Sequence, residues 1–206
     1  MVRILRADPE GFKETAAAVS SGKLVCYPTD TVYGIGCDPF NVGALDKLIR
    51  AKGDRTKPLP ILVRSLDEAE KLGRVSDKVK LLAQEFWPGP LTLILPARDR
   101  IPVLVAPRGT VGVRSPNNAI CLNLLTLCGG SLVGTSANLS GHAPATSANE
   151  AVSQLGNHVE VILDGGRSTL GIASTVVDVS GELIVLRKGP ISKDELLRCL
   201  RKHSGR

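Results

Sequence analysis

Short apolar runs alternate along the chain with segments whose apolar residues recur at helical spacing. Asp8 and Pro9 are suited to begin the first helix and Gly22 to end it, and Leu24–Tyr27 then predicts a strand. The alternation continues and closes on two apolar runs separated by Ser180–Glu182, which indicates a hairpin. Further helix starts are expected at the N-cap residues Asn41, Asn117, Ser147 and Ser192. The pattern predicts an α/β fold with a twisted mixed β-sheet.

The 206 residues contain no internal repeat, low-complexity tract or linker that would divide them. A chain of this length can bury a substantial core by itself. We therefore predict one domain over 1–206, with its core at about 8–200 and a basic tail at 201–206.

The segment Pro28–Gly36 directly follows the first predicted strand and is rich in polar groups. Thr29 and Thr31 supply hydroxyls that can both donate and accept hydrogen bonds. Gly34 and Gly36 would let the backbone approach a ligand closely, because neither carries a Cβ. The segment favours a binding loop, although Thr and Gly are also common turn residues, so a structural turn stays open.

A second polar feature is the basic loop at 52–58, which follows a predicted helix and precedes an apolar run. Lys offers a phosphate a point charge and Arg a bidentate fork, so the loop suits nucleotide phosphates. A charged surface turn is the other interpretation, and this stretch alone favours neither. Other polar groups also follow apolar runs, since Arg114 ends one run and the segment 134–141 (GTSANLSG) follows another.

The chain is moderately basic, with a net charge of +6 and an isoelectric point near 9.2. This balance favours a polyanionic partner, either nucleotide phosphates or RNA, with a solvated basic surface as the alternative. Aromatic residues make up only 3% of the chain, which disfavours a base-stacking surface for single strands. Five cysteines without metal-site spacing and three histidines favour no protein-bound metal.

The composition also bears on location. Hydrophobic content of 43% and charged content of 22% are ordinary for a soluble globular protein. No apolar run approaches the roughly 18 residues that a membrane helix needs, and the N-terminal residues lack the apolar core of a secretory signal. We expect no membrane association and a cytoplasmic location, in which the cysteines stay reduced.

Several signatures of other enzyme classes do not occur. The P-loop pattern is missing, and Gly34-Ile35-Gly36 lacks the third glycine of the dinucleotide fingerprint, because Pro39 stands there. The segment 134–138 resembles a nucleophile elbow only loosely, with Asn138 in place of the final glycine and only His142 nearby as a base. The remaining set of hydroxyls, one amide and dispersed cations at strand ends suits phosphoryl or nucleotidyl transfer.

Eight stretches occur in the order in which the YrdC-like family has them, over about 24–191: PTDTVYGIG, AKGDRTKPLP, FWPGPLTLIL, VGVRSP, GTSANLSG, DGG, STVVD and LRKGPI. No single stretch is decisive, but eight in order form a specific resemblance. It implies a YrdC-like twisted, open, mixed β-sheet flanked by helices, with a concave, positively charged face. It also implies a threonylcarbamoyl-AMP synthase, a nucleotidyltransferase that uses L-threonine, bicarbonate and ATP and releases pyrophosphate. The product would serve threonylcarbamoyladenosine modification of tRNA next to the anticodon.

The resemblance further implies roles for particular residues. Threonine would be bound by Thr31, Arg114, Ser136 and Ser174, with Arg114 paired to its carboxylate. ATP would be bound by Lys52, Arg55, Lys57, Thr110, Asn138, Thr146 and Arg187. Lys52 and Arg55 would be catalytic, because with Mg²⁺ they would stabilise charge that develops at the phosphates, and no side chain stands out as a general base. A downstream threonylcarbamoyl transferase machinery would take up the product.

One departure from the family pattern lies in the basic loop, which is one residue shorter than usual and carries Asp54 where Arg is expected. This departure keeps open a non-catalytic YrdC-like paralogue that binds double-stranded RNA or tRNA. The carbamoyl-transfer module of hydrogenase maturation is a weaker alternative, since the zinc-finger cysteines expected of that larger protein do not occur. Within the family we expect the short form, without the extra C-terminal domain of longer relatives.

Overall fold

The computed structural model describes residues 2–53 and 59–203. Its strands are β1 (Arg3–Arg6), β2 (Val25–Tyr27), β3 (Gly34–Gly36), β4 (Ile61–Val63), β5 (Leu91–Pro96), β6 (Thr110–Arg114), β7 (Ser131–Val133), β8 (Thr135–Ser136), β9 (Val161–Asp164), β10 (Thr175–Asp178) and β11 (Ile184–Arg187). Its helices are α1 (Pro9–Ser20), α2 (Val42–Lys52), α3 (Leu66–Glu70), α4 (Asp77–Phe86), α5 (Ala119–Leu127), α6 (Ala148–Leu155) and α7 (Lys193–His203). The basic loop residues Arg55 and Lys57 lie outside the described residues.

The strands form two mixed sheets, in the orders β1-β9-β2-β3-β8 and β11-β10-β5-β6-β4-β7. Each sheet contains parallel and antiparallel pairs; β2 lies parallel to β9 and antiparallel to β3, and β5 lies parallel to β10 and antiparallel to β6. The predicted α/β fold with mixed pairing is confirmed. The division into two sheets was not predicted, because pairing between strands far apart in sequence leaves little local signal.

The two sheets meet at the consecutive strands β7 and β8. The Val133 N–H donates to the Cys37 carbonyl, beside the first sheet, at 3.0 Å, and the Gly134 N–H donates to the Pro60 carbonyl, beside the second, at 2.8 Å. Gly134 fits between the two strands because a Cβ there would lie 2.5 Å from Leu62 Cγ. This junction places the segment 134–138 against both sheets.

Three short strands were not predicted. The sequence predicts loop at β3 and β8, because glycine and small polar residues carry weak strand propensity. They pair antiparallel with each other, and β3 also pairs with β2, so tertiary pairing outweighs local preference. β1 is an edge strand parallel to β9, and its mostly exposed residues give no alternating apolar signal.

The predicted helix caps are largely confirmed. Asp8 accepts a hydrogen bond from the Gly11 N–H at 2.9 Å, and Asn41 accepts one from the Ala44 N–H at 3.0 Å. Asn117 as the cap of α5 was wrong, because Asn118 stands three residues before Cys121 and accepts its N–H at 2.9 Å. α7 extends to His203, into the segment expected to be a tail.

Helices cover the sheets and bury two apolar clusters. The larger cluster contains side chains from strands of both sheets, among them Ile35 and Leu93, packed against Leu48 of α2 and Leu82 of α4. The smaller cluster packs α1 and α5 against β2 and β9. None of the described helices has the length and apolar character to cross a membrane.

The close approach expected at Gly36 is made by the protein itself. A Cβ added there would lie 1.7 Å from the Val133 carbonyl oxygen, so β3 and β7 can only meet where the residue is glycine. Gly36 therefore serves the junction of the two sheets, whereas Gly34 lines the cavity described below.

Gly36→Ala should lower the free energy of unfolding by about 3 kcal/mol, because the added methyl group forces backbone apart in a packed core. Gly181→Ala is the matched control, since a Cβ at this hairpin glycine meets nothing within 4 Å, and it should change stability by less than about 0.5 kcal/mol. Urea unfolding of both variants measures the difference. Equal stabilities would contradict the packing account of the junction.

Candidate active site

A cavity of about 510 Å³ lies where residues of both sheets converge. Gly34 of β3 and Ser136 of β8 belong to one sheet, and Thr92 of β5, Arg114 of β6 and Arg187 of β11 belong to the other. The apolar part of the cavity wall includes Leu62, Ile94, Val176 and Leu186. A concave, partly apolar site with a few convergent polar groups is the usual form of a small-molecule site.

Seven of the residues that the sequence analysis selected line this cavity: Thr31, Lys52, Arg114, Ser136, Asn138, Ser174 and Arg187. Thr110 lies outside the wall, exposed at the start of β6, on the face that also carries Gly112 and Arg114. Thr146 also lies outside the wall; its hydroxyl donates to Glu150 Oε2 at 3.0 Å and accepts from Arg167 Nη2 at 2.9 Å. The structure thus brings together residues that stand far apart in sequence.

Arg114 is the buried cation of the site, with 5% of its surface exposed. Its Nε donates to the Gly89 carbonyl at 2.9 Å, its Nη1 donates to Thr31 Oγ1 at 2.8 Å, and its Nη2 forms an ion pair with the carboxylate of buried Asp30. Burial lowers the pKa of the Arg114 guanidinium, and the Asp30 carboxylate opposes that change. Arginine nevertheless remains charged, so Asp30 and Arg114 form an internal ion pair.

A chain of hydroxyl contacts surrounds Thr31. Thr29 Oγ1 lies 2.9 Å from Thr31 Oγ1 and 2.6 Å from the Val32 carbonyl oxygen. The N–H groups of Thr31 and Val32 approach Thr29 Oγ1 at 3.2 and 3.3 Å. The loop 29–32 is therefore tied together through the single hydroxyl of Thr29.

Ser174 links Thr92 of β5 to Arg187 of β11. Ser174 Oγ lies 2.8 Å from Thr92 Oγ1 and accepts from Arg187 Nη2 at 2.9 Å, while Arg187 Nε donates to the Ser174 carbonyl at 3.0 Å. Partial burial, followed by the positive charge of Arg114, lowers the pKa of Arg187. Two guanidiniums thus face one cavity, and of these two only Arg114 has a carboxylate of a described residue within salt-bridge distance.

Lys52, the last residue of α2, holds the loop after β8. Its Nζ lies 2.6 Å from the Ser136 carbonyl oxygen and 2.5 Å from the Asn138 carbonyl oxygen. Asn138 Oδ1 accepts from Lys52 Nζ at 3.1 Å and from Ser136 Oγ at 2.6 Å. Lys52 therefore brings positive charge to the cavity wall and also orders the loop.

The described wall offers no evident nucleophile or general base. None of the described lining residues is Asp, Glu, His or Cys, and burial raises the pKa of Tyr33 to about 12. Burial likewise raises the pKa values of Cys26, Cys37 and Cys128 to about 12, so these thiols stay protonated. Within the described ranges no three His, Cys, Asp or Glu side chains are grouped to hold a metal ion. The arrangement can orient reactants and neutralise negative charge.

Four contributors to the site were not assigned from the sequence: Asp30, Thr29, Thr92 and the Gly89 carbonyl. Asp30 and Thr29 stand in the polar segment already singled out, but the sequence does not show which residues they contact. Thr92 lies within an otherwise apolar strand, where a single threonine does not indicate a binding role. Gly89 acts through its backbone, which sequence does not reveal.

Comparison with known proteins places this geometry in context. The family model Sua5_yciO_yrdC, described as telomere recombination, matches residues 17–189. A threonylcarbamoyl-AMP synthase of Pyrococcus abyssi is 36% identical over 185 residues, covering 88% of this chain and 54% of that protein. A putative threonylcarbamoyl-AMP synthase of Mycobacterium tuberculosis is 41% identical over 202 residues, covering 94% and 93%. The chain thus spans about half of the first relative and nearly all of the second.

The crystal structure of P. abyssi Sua5 complexed with L-threonine superposes with a TM-score of 0.91 at 33% identity. It covers 97% of this chain and 61% of that protein. The YrdC-like fold expected from the resemblance is therefore confirmed.

Asp30→Asn should lower the free energy of unfolding by about 3 kcal/mol, because it leaves the buried Arg114 charge without its partner. Asp77→Asn is the control; Asp77 is 98% exposed in its side chain and its ion pair with Lys80 spans 3.9 Å, so little change is expected. Urea unfolding at neutral pH measures both. A wild-type stability for Asp30→Asn would show that the ion pair does not hold the site.

Proposed function

Since the chain belongs to the Sua5/YciO/YrdC family, we propose that it is a threonylcarbamoyl-AMP synthase. The reaction forms threonylcarbamoyl-AMP and pyrophosphate from L-threonine, bicarbonate and ATP. The curated relatives named for this activity, and the threonine complex of a protein of the same fold, support the proposal. This chain spans only 54% of the P. abyssi synthase. The proposal therefore also has to rest on the site that this chain itself forms.

The observation that carries the proposal is the hydrogen bonding of Arg114. A guanidinium has five N–H donors, and three are taken by Gly89, Thr31 and Asp30. Five minus three leaves two, which is the number that a carboxylate accepts in a bidentate pair. We propose that these donors hold the carboxylate of threonine. Thr31, Ser136 and Ser174 line the same cavity and would contact its other polar groups.

ATP would extend from this amino-acid site along the cationic side of the cavity. Lys52, Asn138 and Arg187 line it, and Thr110 continues the face of β6 that carries Gly112 and Arg114. Arg55 and Lys57 of the basic loop, with Thr146 outside the wall, complete the proposed set. The described wall carries no carboxylate, so Mg²⁺ would come with ATP, held by its phosphates, and would supply charge neutralisation there.

The proposed mechanism proceeds in two steps. The neutral amine of threonine attacks the carbon of bicarbonate, a C–N bond forms, and water leaves to give a carbamate. A carbamate oxygen then attacks the α-phosphorus of ATP, and the bond to pyrophosphate breaks. Arg114 fixes the amino acid, while Lys52, Arg55 and Arg187 neutralise phosphate charge, so catalysis depends on positioning and electrostatics. Threonine enters as an ammonium, and the proton that it loses to become the neutral amine would pass to water or to a substrate.

We further propose that the product passes to a threonylcarbamoyl transferase machinery for tRNA modification, in the cytoplasm. Transient contact with tRNA or double-stranded RNA would involve the basic surface, since the net charge is +6. The non-catalytic RNA-binding paralogue remains the competing function, and the experiment below separates the two.

Pyrophosphate release from ATP and Mg²⁺ should require both L-threonine and bicarbonate. Omission of either should reduce release to background, because the carbamate that attacks ATP is made from both. Release without threonine would contradict the proposal. Absence of release from folded protein, with salt-sensitive RNA binding, would favour the non-catalytic paralogue.

A conservative variant tests the carboxylate anchor in the same assay. Arg114→Lys keeps the charge but loses the planar fork, and it should raise the KM for threonine at least about tenfold while the KM for ATP changes much less. Arg64→Lys is the control, because Arg64 is exposed and its ion pair within the described part of the chain is with Glu68, at 3.6 Å. An unchanged KM for threonine in Arg114→Lys would remove Arg114 from the amino-acid site.

A further inference from the structure

The hydrogen-bond direction around Thr31 is fixed by chemistry. The Val32 carbonyl oxygen can only accept, so the 2.6 Å contact requires Thr29 to donate its hydroxyl proton there. With that proton used, only Thr31 can donate across the 2.9 Å contact between the two hydroxyls, where Thr29 Oγ1 also meets the N–H groups of Thr31 and Val32 at 3.2 and 3.3 Å. Thr31 Oγ1 also accepts from Arg114 Nη1 at 2.8 Å. Thr31 is left with one lone pair and no proton for a ligand.

Ser136 has the same restriction. Asn138 Nδ2 donates to the carbonyl oxygens of Leu139 and His142, at 2.9 and 2.8 Å, which fixes the orientation of the amide. Asn138 Oδ1 therefore accepts, and Ser136 must donate its proton to it at 2.6 Å. Two hydroxyls in the cavity wall can thus offer a ligand only acceptor lone pairs.

We infer that Thr29 is a positioning residue that makes Thr31 an acceptor for the amine of the substrate. The inference rests on the proposed function and deepens it, because it names the group that the Thr31 hydroxyl contacts. Thr31 Oγ1 lies directly beside the Arg114 fork, so an acceptor adjoins a pair of donors. In an α-amino acid the ammonium, which donates, stands next to the carboxylate, which accepts, so the two groups match Thr31 and Arg114 respectively.

The direction of these bonds also matters for the chemistry. An amine that donates an N–H to Thr31 keeps its lone pair available to attack bicarbonate. A hydroxyl that donated to the nitrogen would instead occupy that lone pair. Because Thr29 accepts the Thr31 proton, Thr31 cannot donate to the substrate nitrogen, and the deprotonated amine keeps its lone pair for the attack. The same arrangement disfavours ligands that present only an acceptor to Thr31.

Two substitutions at position 29 test the inference. Thr29→Val keeps the shape but removes the acceptor for the Thr31 proton, whereas Thr29→Ser keeps the hydroxyl. Calorimetric titration measures Kd for L-threonine and for 3-hydroxybutanoate, which lacks the amine. The preference for threonine should fall about tenfold in Thr29→Val and stay within about twofold of wild type in Thr29→Ser.

A merely structural role of Thr29 would weaken both ligands equally and leave their ratio unchanged, so an unchanged ratio in folded Thr29→Val overturns the inference. Failure of wild-type protein to bind threonine would instead contradict the proposed function. If Thr29→Val does not fold, hydroxyl-proton NMR of threonine-labelled wild type decides the point. Slow exchange of the Thr31 hydroxyl proton, with a nuclear Overhauser contact to Thr29, is expected; fast exchange with solvent overturns the inference.

Discussion

The buried ion pair between Asp30 and Arg114 is the interaction on which the site depends. A guanidinium at a strand end inside the protein is costly unless its donors are satisfied, and removal of its partner would leave that charge uncompensated. The contacts of Arg114 with Asp30, Thr31 and Gly89 join the loop after β2, the loop before β5 and the end of β6. One side chain therefore fixes three segments and presents its two remaining donors to the cavity.

The junction of the two sheets explains why the polar groups converge. β7 and β8 pass from one sheet to the other, and the glycines at 36 and 134 permit the close approach that this passage requires. Ser136 and Asn138 follow immediately, so the loop held by Lys52 lines the same cavity as Arg114 and Arg187. A cavity without a described base or nucleophile suits a reaction in which the substrates supply the reacting groups.

Much of the fold and of the site could be predicted from the sequence, because short apolar runs, helical spacing and N-cap residues are local signals. Arg114 ends such a run, Ser136 follows one and Ser174 precedes one, and the structure brings the three to one cavity. β3 and β8 were not predicted, because they are strands through their pairing with each other and not through the strand propensity of their residues. The roles of Asp30 and Thr29 were not predicted. The contact between Asp30 and Arg114 joins positions far apart in sequence, and the hydrogen bond that Thr29 donates to the Val32 carbonyl depends on the backbone conformation, so neither leaves a signal in the sequence.

The most direct measurement is mass spectrometry of the nucleotide product formed from ATP, L-threonine and carbon-13 bicarbonate. We expect an AMP adduct that contains both threonine and the labelled carbon, because the carbamate forms before the phosphate is attacked. An adduct of threonine and AMP without the label would show direct attack by the amino-acid carboxylate. That result would contradict both the carbamate mechanism and the assignment of Arg114 as the carboxylate anchor.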